Sequence, residues 1–190
     1  MLDRGFFQRD TRTVARQLLG KVLVHKTIDG VTSGVIIETE AYFGPEDPAS
    51  RAQKRTRISE PMWQKAGLAM VYMVHANWLL NVTTEKKGNP GAVLIRALEP
   101  LEGVDLMKKR RSISEIKNLT SGPGKLTQAM GITGEYHGVD LLHQYGLRIL
   151  EGVKEDLEDL EISKSQRIGV TEDLEEELRF FISGNGFVSR

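Results

Sequence analysis

The sequence predicts a mixed α/β (α+β) fold, a single domain over residues 1–190 with a largely antiparallel curved sheet flanked by helices. Three observations carry that expectation. β-rich segments follow one another across short polar turns, as antiparallel neighbours do. Helical stretches are few, and no regular β-α-β alternation supports a Rossmann unit. A length of 190 residues with 39% hydrophobic and 27% charged side chains suits one sizeable core and excludes a fibrous or disordered chain.

Taken in order, residues 11–19 suit a short helix, with Asp10 to cap its start and Gly20 its end. Segments 21–27 and 31–42 are β-rich, with Asp29-Gly30 between them as a hairpin turn. Residues 44–61 mix glycine, prolines and the cations Arg51, Lys54, Arg55 and Arg57, so they read as a long surface loop. Segments 69–83 and 92–98 are two further strand candidates, joined by Glu85-Lys-Lys-Gly-Asn-Pro-Gly91. Pro100 is expected to open a helix through about Arg111. Another helix begins near Lys125, after Ser121-Gly-Pro-Gly124, and stops at Gly131. Segments 146–153 and 179–183 look like late strands, with an acidic helical or loop region between them.

Composition removes several classes of function. There is no cysteine, which excludes disulfides, thiolate zinc sites and a cysteine nucleophile. No apolar run approaches the ~20 residues of a membrane helix, and Met1-Leu-Asp-Arg-Gly5 lacks a signal-peptide core. A soluble, cytoplasmic protein is expected. The 26 basic and 26 acidic residues cancel, yet they are unevenly placed. Lys108-Lys-Arg-Arg111 is a basic run, whereas carboxylates collect between Glu151 and Glu177. Bulk charge therefore argues neither for nor against a polyanionic partner; only a local basic face could.

The strongest local signal is Ile36-Ile-Glu-Thr-Glu-Ala-Tyr42. In a strand, Glu38, Glu40 and Tyr42 point to one face. A partly desolvated glutamate there would suit a general base for water, beside an aromatic platform. A merely solvated polar face is the plain alternative. Gly122-Pro-Gly-Lys125 resembles a phosphate loop superficially, but Leu126 stands where Ser or Thr is required and Leu119 where the first glycine belongs. Its backbone N–H groups and Lys125 could still hold a phosphate. His25, His75, His137 and His143 show no ligand spacing, so neither a metal nor a cofactor is expected.

Read together, these segments resemble a known family. Glu38-Thr-Glu-Ala-Tyr42, Gly44-Pro-Glu-Asp-Pro-Ala-Ser50, Val71-Tyr72 through Asn81-Val82, Leu94-Ile-Arg-Ala-Leu-Glu-Pro-Leu-Glu-Gly103 and Ser121-Gly-Pro-Gly-Lys-Leu126 follow the order of the alkyladenine (3-methyladenine) DNA glycosylases. Arg167-Ile-Gly-Val170 and Leu178-Arg-Phe-Phe181 echo the family's C-terminal end. The resemblance implies a monofunctional enzyme, without lyase activity, that flips alkylated or deaminated purines out of duplex DNA and hydrolyses the N-glycosidic bond to start base-excision repair. It implies damaged double-stranded DNA as the partner of a monomer, nucleoid-associated in a bacterium.

By the same resemblance, Glu40 matches the general base and Arg96 the arginine that holds it, its charge keeping Glu40 ionised. Tyr42 and Tyr72 match the aromatics that sandwich the base, and Ala49, Arg51 and Asn81 complete its pocket. A protruding hairpin would insert His75, with Asn77 nearby, into the DNA stack. Lys54, Arg55, Arg57, Ser121, Gly122, Gly124 and Lys125 would meet phosphates. Two positions depart from the family pattern: Arg51 replaces a histidine, and His75 replaces a tyrosine wedge in a segment one residue shorter than usual. Arg51 either points into the pocket, disfavouring cationic lesions, or turns outward to a phosphate. A catalytically weak lesion-sensing module and an unrelated small-molecule hydrolase are the competing readings.

Overall fold

The computed structural model describes residues 2–143, 146–152 and 161–189. The expected hairpin forms, but its turn lies one residue earlier than Asp29-Gly30: β1 (Val22–Thr27) runs antiparallel to β2 (Gly30–Tyr42) with Thr27 opposite Gly30, so Ile28 and Asp29 make the turn and Gly30 opens the second strand. The 69–83 segment is not one strand. It breaks at His75-Ala76 into β3 (Ala69–Val74) and β4 (Asn77–Thr84), a hairpin closed by a two-residue turn in which both residues have positive φ. Next comes β5 (Gly91–Glu102), then the late strands β6 (Leu147–Leu150), β7 (Ile162–Ser165) and β8 (Arg179–Ile182). The sheet order is β3-β4-β5-β2-β1-β6 and every pairing is antiparallel. β8 joins β2 opposite Glu38–Glu40, and β7 lies outside β8.

Pro100 does not open a helix. β5 continues through it to Glu102, and α3 (Val104–Arg111) begins only after Gly103. β4 pairs with β5 only at residues 91–94, so the later part of β5 has β2 alone as its named partner strand. Pro100 sits there beside a register shift at Ser33/Gly34, where a missing N–H costs little. The acidic region is likewise neither wholly helix nor loop, because β7 lies in it; residues 153–160 fall outside the described residues.

The helices pack where their caps and apolar stripes direct them. Asp10 caps α2 (Thr11–Leu18) by accepting from the Thr13 N–H at 2.9 Å, as expected, and Val14, Ala15 and Leu18 of α2 are buried. A short helix that the sequence analysis missed, α1 (Arg4–Phe7), is capped by Asp3 in the same way. α4 (Pro123–Met130) ends at Gly131 in the left-handed region and buries Leu126, Ala129 and Met130. These stripes join Leu23, Ile36, Leu80, Val93, Ile95 and Leu98 of the sheet in one core. Part of the basic run is structural: Arg110 donates to the Ala129 and Met130 carbonyls at the end of α4, and Arg111 to those of Asn118 and Leu119. Cations placed on terminal helix carbonyls satisfy orphan acceptors and oppose the helix dipole.

Candidate active site

Two irregularities in one strand pair create the site. Between Ile36 and Thr39 the β2–β5 register slips twice, leaving Ile37 without a named partner on β2 and Arg96 without one on β5. Bulges re-aim side chains, and here the re-aimed side chain is Arg96. Its Nε lies 2.8 Å from Glu38 Oε1 and its Nη1 3.1 Å from Glu40 Oε1, with both carboxylates fully buried. The expectation that Glu38, Glu40 and Tyr42 share a face holds: the Tyr42 hydroxyl donates to Glu40 Oε2 at 2.8 Å.

Each carboxylate has its own set of donors. Glu38 accepts from Arg96, from Arg179 Nε at 2.7 Å, and from both the N–H and the hydroxyl of Ser189. Glu40 accepts from the Ile168 N–H at 2.8 Å, from Arg96 and from Tyr42. Burial is the largest influence on Glu40 and raises its pKa above the ordinary glutamate value. The Arg96 charge, the Ile168 N–H and the Tyr42 hydroxyl pull in the other direction without cancelling it. Arg96 thus favours the ionised form, as expected, but does not outweigh desolvation. Tyr42 is held neutral, chiefly by burial and then by the neighbouring Glu40 charge.

Tyr42 rests on a second charged cluster that the sequence analysis missed. The buried Arg167 guanidinium lies 4.5 Å from the Tyr42 ring centroid. It makes paired bonds to Asp47 at 2.7 and 2.8 Å, a second ion pair with Asp173 and a bond to the Ala41 carbonyl. Asp47 also accepts from the Phe43 and Ala49 N–H groups, which pins the loop after β2. Burial works to raise its carboxyl, but Arg167 and those N–H groups hold it below the usual aspartate range. The only sequence signals were an aspartate in a proline-rich turn and an Arg-Ile-Gly-Val tetrapeptide, neither of which predicts a distant partner.

Above this layer opens a cleft of about 1200 Å³. Tyr42, Ala49, Arg51, Tyr72, His75 and Arg96 line it, and so do Ser121, Gly122, Gly124 and Lys125 on the far wall. Tyr72 packs against a small apolar cluster of Ala52, Met62, Met70 and Ala92. Arg51 places its guanidinium 5.0 Å from the Tyr72 ring centroid, so it points into the cleft rather than away from it. His75 stands at the tip of the β3–β4 hairpin, while Asn77 bonds back to the His75 carbonyl and packs against Gly124. A Cβ on Gly124 would meet Asn77 at 2.8 Å, so only glycine lets hairpin and helix approach this closely.

Not every expected residue reaches the cleft. Asn81 is 2% exposed, its amide donates to the Met70 carbonyl, and it lies behind the lining rather than in it. Lys54, Arg55 and Arg57 are exposed but do not line the cleft, and Arg55 is committed to a bidentate pair with Glu60.

The chain is thus a single mixed α/β domain whose curled antiparallel sheet carries, on its central strands, a buried carboxylate–arginine pair beneath a cleft lined by two tyrosines. The particular family follows from comparison with known proteins. The chain belongs to the methylpurine-DNA glycosylase family, whose profile matches residues 5–186. Relatives carrying the name "Putative 3-methyladenine DNA glycosylase" include one from Oceanobacillus iheyensis, 43% identical over all of this chain and 96% of its own. Others are from Prosthecochloris aestuarii, 43% identical over 98% of this chain and 90% of its own, and Bacillus licheniformis, 42% identical over 100% and 96%.

Proposed function

We propose that this protein is a DNA glycosylase that hydrolyses the N-glycosidic bond of damaged purines, with Glu40 as the general base. The observation that carries this reading is the setting of Glu40: buried beneath the tyrosine cleft, with Arg96 and the Ile168 N–H on Oε1 and Tyr42 on Oε2. That leaves Oε2 with one described donor and a lone pair for a water. The purine, flipped from the duplex, lies between Tyr42 and Tyr72, where stacking is worth roughly 1–3 kcal/mol. The bond from C1′ to the base nitrogen breaks with its electron pair leaving on the base, the water oxygen bonds to C1′, and the water proton passes to Glu40, which then returns it to the departed base or to solvent. The negative carboxylate also favours the positive charge that develops on the sugar.

His75 is the proposed wedge that fills the gap left in the stack, with Asn77 as its brace. The N–H groups of Gly124 and Lys125 precede the first backbone bond of α4, from Leu126 to Gly122, so they are available to a phosphate beside the Lys125 ammonium. Release of free base from a duplex carrying one damaged purine tests the reading. Wild-type protein should release it and Glu40→Gln should bind the duplex without release. Tight binding without release by the wild type would instead mean a lesion sensor.

A further inference from the structure

We propose that Arg51 selects among damaged bases: stacked on Tyr72 inside the cleft, its guanidinium stands in the berth of the flipped purine and disfavours bases that carry a fixed positive charge. The inference deepens the glycosylase reading and rests on it. Arg51 opens a 3-10 turn whose backbone is tightly held. Ser50 caps that turn by accepting from the Ala52 N–H at 3.0 Å while its hydroxyl donates to the Phe43 carbonyl, and Asp47 fixes the Ala49 N–H. The side chain, by contrast, is exposed and has no carboxylate partner among the described residues. Its one described contact is the Tyr72 ring.

Tyr72 leans on the Ala52, Met62, Met70 and Ala92 cluster, and both Tyr72 and Arg51 line the cleft, so the guanidinium covers the face left to a ligand. On the opposite platform the Arg167 guanidinium against the Tyr42 ring is neutralised by Asp47 and Asp173, so of the two it is Arg51 that brings an uncompensated charge to the cleft among the described residues. A purine against Tyr72 therefore meets the permanent charge of Arg51. A neutral planar base can displace Arg51 or stack upon it. A purine nucleotide methylated at N3 or N7 is itself cationic and meets like charge at Arg51. Glu115 and Glu172 also line the cleft, but no described contact ties either one to Arg51.

The test is single-turnover excision from duplexes that each carry hypoxanthine, ethenoadenine or 7-methylguanine, by wild type, Arg51→Gln and Arg51→Lys. Arg51→Gln should raise the rate ratio of 7-methylguanine to hypoxanthine at least tenfold, because it removes the charge. Arg51→Lys, which keeps the charge, should leave that ratio within threefold of wild type. Excision by Arg51→Gln with the ratio unchanged would overturn the inference and leave the glycosylase reading standing. Failure of the wild type to release any base would overturn the reading and the inference together.

Discussion

The main-chain N–H and the hydroxyl of Ser189 both close on the carboxylate of Glu38, at 2.6 and 2.7 Å. A residue from the far end of the sequence thereby fixes a carboxylate at the centre of the sheet, and that carboxylate fixes the Arg96 Nε. Arg96 is left with Nη1 toward Glu40 and Nη2 toward the Ser189 hydroxyl. Ser189 acts as a positioning residue, through Arg96. Ser189→Ala removes bonds to charged groups, each worth roughly 1.5–3 kcal/mol. The expected outcome is a loss of about tenfold or more in single-turnover excision with duplex affinity changed less than threefold, read by quench-flow and by fluorescence anisotropy.

The acid limb of the reaction should lie above the ordinary glutamate value of 4.5, because burial raises Glu40 and its partners only partly restore it. The base must be ionised, so the rate falls as pH drops through this raised pKa. Arg96 lowers the Glu40 pKa, so its removal must move the limb to still higher pH. Arg96→Gln is expected to show a lower plateau and an upward-shifted limb in a pH–rate profile. A downward shift would contradict the assignment of the two charges.

Asp47 and Arg167 should behave as a structural unit. Arg167 has no exposed side-chain surface and Asp47 none either, so removing Asp47 leaves the buried guanidinium with Asp173 as its one described carboxylate and takes the acceptor from the Phe43 and Ala49 N–H groups. Breaking such a pair costs about 3–5 kcal/mol. Asp47→Ala is expected to lose that much by urea denaturation at neutral pH. The wild-type advantage is present above 3.8, the ordinary aspartate value, and disappears as pH falls through the depressed folded-state value.

The hairpin tip carries backbone strain beside its proposed wedge. His75 and Ala76 have φ of 45° and 62°, a turn that Asn-Gly would make without cost. Ala76→Gly should therefore stabilise the fold by about 1 kcal/mol, seen as a raised Tm, with excision unchanged. His75→Ala should leave stability nearly unaltered. It should weaken capture of flipped lesions more than the chemical step, measured as a higher half-saturating enzyme concentration at an unchanged single-turnover plateau.

Sequence reading went furthest where the signal is local. The β1–β2 hairpin, to within one residue, the Asp10 cap, the Gly131 stop and the shared face of Glu38, Glu40 and Tyr42 all depend on nearest neighbours. The reading failed where pairing partners decide. Pro100 is a helix starter by propensity, yet it lies in a strand because it falls beside a bulge. The slip that turns Arg96 toward two carboxylates is a property of two strands together, and neither strand's sequence announces it. The Asp47–Arg167 clamp joins distant segments, so only folding brings it into view. Asn81 was expected on the pocket surface, but the Met70 carbonyl claims its amide in the cross-strand pair.

The most direct test of the account is single-turnover base release against pH, for wild type beside Glu40→Gln, on a duplex with one hypoxanthine. The wild-type rate should rise with one ionisation, centred above 4.5, to a plateau. Glu40→Gln should be at least about a hundredfold slower, the smaller share that general-base catalysis usually supplies, and should lack the acid limb. A Gln variant within a few-fold of wild type, with the same limb, would contradict Glu40 as the base.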